Sequence, residues 1–231
     1  MSSPPLTAPK VLFSSGSALL LLLSVAWTSS SAAEGLPDVG ARVQWTLHDE
    51  NDDAQTGYTL YKRKPHGSDY DAYRLEAIVD SAPAIVAEAA RSNLADPEKS
   101  QKGMDKKVIR NDDNGIVVYS YIHINAPFVS DRDIVSHIDR SYDAATDTFT
   151  LAWHATDEGP PPIEGVTRVG RSEGSWTFSP ESEGRTRAVY ISHTEVTGFV
   201  PAWFINATMS STMVEGLRGL RESVELAGQI E

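Results

Sequence analysis

The chain contains no cysteine. Disulfides, thiolate-bound metals and cysteine nucleophiles are therefore excluded. Positive charge is also scarce: 20 lysines and arginines stand against 32 acids, a net charge of −12 at pH 7. So acidic a chain repels phosphate backbones, so nucleic acid is not an expected partner, and tight docking on anionic lipid is disfavoured. The six histidines (His48, His66, His123, His137, His154 and His193) lack the spacing of a helical metal pair, and no metal is expected. The chain has no G-x-S-x-G, no P-loop and no G-x-G-x-x-G, and Asp112 to Gly115 lacks the acid that ends a calcium loop. No cofactor is expected.

Long apolar runs are rare as well. Ala18 to Trp27 is apolar except for Ser24, too short for a comfortable membrane span. Lys10 precedes it, and Ser31-Ala32-Ala33 follows with the small residues a signal peptidase reads. The expectation is a signal peptide over residues 1–33 and one exported domain over 34–231; the alternative is an uncleaved N-terminal anchor. Residues 1–33 carry one lysine and no acid, so cleavage makes the product one charge more negative. Export without disulfides suits a bacterial envelope, periplasmic or secreted, better than an animal extracellular space. Asn206-Ala207-Thr208 matches a glycosylation acceptor but falls in an expected helix, which makes it a chance match.

What is present is alternation. Arg42 to His48, Tyr58 to Lys64 and Tyr70 to Val79 read as an antiparallel meander with Val43, Trp45 and Leu47 on one face. Ser81 to Leu94 changes to helical period, with Ser81 as N-cap and Pro83 in the first turn. Lys106 to Arg110 and Ile116 to Asn125 flank Asn114-Gly115, the strongest short hairpin signal. Asp131 to Tyr142, Thr146 to Thr156, Val166 to Arg171, Gly174 to Ser179 and Arg185 to Val196 complete the strands, with Gly159-Pro160-Pro161-Pro162 as a connector. After Gly198 and Pro201 a helix runs to about Leu226. The fold class is α+β: a strongly curved antiparallel sheet around a C-terminal helix.

On that helix Ile205, Thr208, Met209, Thr212 and Gly216 share a face. Small and flexible side chains there leave room for a ligand, whereas Leu217, Leu220 and Val224 suit plain packing. Trp153 and Trp176 read as inner-face aromatics, with core packing as the default. Asp131-Arg132-Asp133 reads as structural, an arginine pinning a turn between acids. His193 and Glu195 share a strand face, but no nucleophile stands near them.

Three segments resemble the START domain family of lipid-binding and lipid-transfer proteins. Pro127 to Val135 looks like the family's Arg-Asp motif, Gly174 to Pro180 like the strand before the last hairpin, and Gly198 to Asn206 like the entry to the lid helix. The resemblance covers roughly residues 42 to 225 and implies the helix-grip fold, with one lipid, of the sterol or phospholipid class, in an apolar tunnel. It implies a carrier rather than an enzyme, acting as a monomer with transient membrane contact. The buried acid and arginine of some sterol-binding members fall here on Tyr119 and Ile138. The resemblance turns Tyr119, Tyr121 and His123 toward the tunnel, although the aliphatic alternative, Ile116, Val118, Ile122 and Ile124, stays open. It gives Arg171 the place of a polar pocket residue, with a solvated strand end as the other reading. A cyclase or hydrolase of the wider helix-grip group is the alternative function, favoured if Tyr119, His123 and Arg171 converge on one point.

Overall fold

The computed structural model describes residues 44–229 except 101, 126–128, 183, 197 and 199–201. Among the described residues the order is β1 (Thr46–Asn51), β2 (Tyr58–Arg63), β3 (Ala72–Val79), α1 (Pro83–Ala95), β4 (Met104–Asp112), β5 (Gly115–Ile122), β6 (Arg132–Asp143), β7 (Thr148–Ala155), β8 (Thr167–Arg168), β9 (Arg171–Pro180), β10 (Thr186–Glu195) and α2 (Ala202–Gly228). The antiparallel sheet runs β1-β2-β3-β10-β9-β7-β6-β5-β4, and β8 adds to β6 in parallel. This is the α+β arrangement, an antiparallel sheet with a long C-terminal helix, that the order of elements implied, and the helix-grip fold that the resemblance implied.

Register decides which side chains face inward. Tyr73, Ser192, Gly174, Trp153, Ile138 and Ile116 stand directly opposite one another from β3 across to β5. With period two along each strand, this row fixes the inner face of the sheet. The C-terminal half of α2 fills one end of that face. Met213, Leu217, Leu220 and Val224 recur at helical spacing, are buried, and form one cluster with Leu60, Leu75, Val86, Ala90 and Phe178. Each such side chain contributes about 1.5–3 kcal/mol by leaving water.

Several boundaries differ from the sequence reading. β1 begins at Thr46, Leu47 is 55% exposed, and Val43 lies outside the described residues. As an edge strand β1 has a neighbour on one side only, so its alternation buries little. The N-cap of α1 is Ala82 rather than Ser81, and the Ser81 carbonyl instead accepts the Thr186 hydroxyl at 2.6 Å. Pro83 does occupy the first turn.

Past Ala155, β7 no longer covers β6, and the proline-rich connector takes its place. Thr156 N–H donates to Val135 O at 2.9 Å, Thr167 N–H to Asp131 O at 2.9 Å and Val169 N–H to Asp133 O at 2.8 Å. Val117, Val135 and Val169 are buried on this outer side. The fastening is ionic. Arg168 Nε and Nη2 donate to the two Asp133 oxygens at 2.8 and 2.9 Å, and Asp133 is fully buried. The Arg168 guanidinium holds the Asp133 carboxyl below the usual carboxylate range, against the opposing effect of burial.

Asp133→Asn leaves Arg168 without its counter-charge and should cost about 3–5 kcal/mol. A depressed folded-state pKa contributes stability above the unfolded value, near 3.9, and loses it as pH falls through the folded value. The gap between wild type and variant in urea melts should therefore narrow from pH 7 to pH 3. An undiminished gap at pH 3 would remove the ionic pair as the cause.

Candidate functional site

The N-terminal half of α2 covers a different kind of surface. Ile205, Met209, Thr212 and Gly216 turn toward the sheet but stay only half-buried, while Met213 and Leu217 beyond them are closed off. Opposite, Ile122, Ile134, Ser136, Trp153, Ala155 and Tyr190 also face inward and are half-buried. Tyr190 is the decisive case. Burial pushes its phenol up to about 12, yet the residue as a whole stays only half-buried. Inward-facing side chains left half-buried on both sheet and helix outline a hollow.

Aromatic rings and hydroxyls line it. Tyr190 stacks on Trp176 at 4.2 Å and tilts against Trp153 at 5.7 Å. Ser172 and Thr194 hydroxyls lie 2.9 Å apart, and the Ser192 hydroxyl partly offsets the effect of burial on the Tyr190 phenol. Gly174 lets Trp153 lie flat on the sheet: a Cβ there would stand 2.3 Å from Trp153 Cζ2 and 2.4 Å from the Ile191 carbonyl oxygen. A Cβ at Gly216 would stand 3.7 Å from Tyr190 Cε1, so the helix passes close over the ring.

The roof is fastened at its first turns by Asn206. Its Oδ1 accepts Asp71 N–H at 3.0 Å, its Nδ2 donates to Asp69 O at 3.4 Å, and its own carbonyl accepts the Tyr73 hydroxyl at 2.7 Å. Burial pushes the Tyr73 phenol up to about 12. Among the described residues no group of three or more His, Asp or Glu is placed to hold a metal, and no helix is long and apolar enough to cross a membrane.

The START domain family model matches residues 40–230. The chain belongs to the START domain family. An uncharacterised protein of Pseudomonas aeruginosa is 26% identical over 199 residues, 85% of this chain and 94% of its own length. The STAR-related lipid transfer protein of Xanthomonas axonopodis (fragment 25–204) superposes with a TM-score of 0.66 at 23% identity, over 78% of this chain and 98% of that one. Human StAR-related lipid transfer protein 5 gives a TM-score of 0.64 at 18% identity, over 80% and 88%. Both structural likenesses show the fold.

This START domain brings together Ile138, Trp153, Ile205, Met209, Thr212 and Gly216 from the expected lining. It does not bring in the rest. Tyr119 and Tyr121 lie on the outer face of β5, because Ile116 and Val118 hold the inner register, and His123, just past the strand's end, packs beside Tyr121. The Tyr119 hydroxyl donates to Asp133 at 3.2 Å, the Tyr121 hydroxyl to Asp131 at 2.7 Å, and His123 Nε2 lies 2.8 Å from Asp105. Arg171 is also outward, exposed and paired with Glu195 at 2.9 Å, one strand position away from inward Ser172. Thr208 is exposed, and its hydroxyl donates to the Ile205 carbonyl of its own helix. Sequence reasoning missed Tyr190, Ser192 and Thr194, although their period-two spacing after Ala188 was a usable signal.

Gly174→Ala sets a methyl group against Trp153 and a backbone carbonyl that cannot retreat. Destabilisation of about 1–3 kcal/mol is expected, together with a shifted tryptophan emission maximum. Unchanged stability and emission would show that Trp153 does not depend on that bare backbone.

Proposed function

We propose that this chain binds one lipid molecule in the hollow and carries it, without chemistry, through an aqueous space. The observation that carries this reading is the half-buried inner face, Tyr190 above all: burial pushes its phenol up to about 12 while the residue as a whole stays only half-buried. Family membership and the lipid-transfer names of the two similar structures support it. Burying about 400 Å² of lipid at about 25 cal/mol per Å² supplies on the order of 10 kcal/mol, above the lower estimates of association cost. The catalytic alternative needs Tyr119, His123 and Arg171 to meet. Tyr119 and His123 instead pair with acids outside β5, and Arg171 pairs with Glu195 at the start of β9.

Loading requires the first half of α2 to lift. Among the described residues its polar fastening gathers at Asn206, with Met209 packed against the core, whereas the second half is held by the buried Met213, Leu217, Leu220 and Val224. Trp203 is 70% exposed in the first turn of α2, well placed to touch a bilayer during exchange. The signal pattern of residues 1–33 supports cleavage and action outside the cytoplasm.

Native mass spectrometry of the protein purified from cells tests the reading. One protein chain beginning at Glu34 with one co-purifying lipid mass is expected. An empty protein that also fails to extract lipid from vesicles would overturn carriage. In a vesicle-to-vesicle transfer assay, Asn206→Ala should load several-fold faster, and Trp203→Ala should deliver more slowly. Unchanged rates in both would exclude this half of α2 as the gate.

A further inference from the structure

One buried inner-face cation makes no direct ion pair among the described residues, although the Asp131 carboxylate beside it feels its charge. Arg132 opens β6 opposite Ile122, in register with the inward row that continues through Ser120 and Ile134. It is only 3% exposed. Among the described residues its hydrogen bonds run through Nη1, to the Ser130 carbonyl and hydroxyl and, at 3.4 Å, to the Asp131 carbonyl. Its buried Nε has no partner among the described residues. The flanking acids are engaged elsewhere: Asp131 accepts the Tyr121 hydroxyl and Ile124 N–H, and Asp133 is taken by Arg168.

Arg168 shows what the idle edge can do. It offers Nε and Nη2 side by side to a carboxylate, and in Arg132 those same two nitrogens make none of the hydrogen bonds. Space beside this edge is kept by Gly198, whose φ of +101° suits glycine. A Cβ there would come within 3.3 Å of Nη2. Gly198 lies just ahead of α2, so the idle edge sits at the end of the hollow where the roof begins.

We infer that Arg132 holds the anionic head of the cargo, making the ligand an acidic amphiphile with a carboxylate or phosphate on an apolar tail. This rests on the carriage reading and adds the ligand's chemical class. Nη1 anchors the guanidinium to the loop before β6, and the Nε–Nη2 edge grips two oxygens of the head. The hydroxyls of Ser120 and Ser136 follow along the inner face of the sheet.

Binding of oleate and of oleyl alcohol, which share a tail and differ in head charge, tests this. Wild type should prefer oleate by about ten- to a hundred-fold, the strength of a charged bidentate contact. Arg132→Met should lose that preference while holding the alcohol nearly unchanged, and Arg132→Lys should keep part of it. Equal wild-type affinities, a comparison that needs no variant, would overturn the assignment and leave carriage standing. So would equal losses for both ligands in Arg132→Met, which would mark a purely structural arginine. Inorganic phosphate should displace oleate only weakly; displacement at micromolar phosphate would make this a free-anion site and overturn the lipid-head assignment. If wild type binds neither amphiphile, carriage falls and this inference falls with it.

Discussion

The Asp133–Arg168 pair is the constraint on which the outer architecture depends. A fully buried carboxylate must be matched, and the bidentate guanidinium matches both of its oxygens. Arg168 lies in β8, a two-residue strand whose place on β6 is otherwise held by a few backbone bonds. The pair thus fixes the connector against β6 where β7 has ended. Ser130 and Thr167, linked through their hydroxyls, follow from that placement, and Gly198 packs beside Thr167 and Arg132. An interaction on the outside of the sheet thereby sets the geometry at the mouth of the inside.

Within the sheet, one helix performs two tasks. Its C-terminal half supplies large apolar side chains at spacings of three and four and closes the core. Its N-terminal half supplies small or flexible ones and leaves space. The inner strands show the same division: Leu75, Leu151 and Phe178 are sealed, whereas Ile134, Ser136 and Trp153 stay half-open. Stability and capacity are therefore spatially separate. Apolar burial at one end holds the sheet around a hollow that a uniformly packed domain would have filled.

Much of the fold was legible from local rules. Period-two alternation located the strands, Asn114-Gly115 the β4–β5 hairpin, and the late glycine and proline the entry to α2. The facing of β5 was not legible, because both of its faces carry apolar bodies. Its neighbour decides: Asp131 and Asp133 need donors, and the Tyr121 and Tyr119 hydroxyls supply them on the outer side. Arg171 was misplaced for the same reason, since its outward partner Glu195 lies 24 residues away. The seat of Trp153 on Gly174 depends on a register that no single strand encodes.

The hydroxyls along the roof have a mechanical meaning. Thr208, Ser211 and Thr212 donate to carbonyls one turn back in their own helix. That stretch of α2 can swing away from the strands without stranding those polar atoms. Its travel is then set by the Asn206 attachment and by the stiffness of the segment beyond. On the carriage reading, the largest cargo is governed by the arc of this cantilever rather than by the volume of the closed chamber.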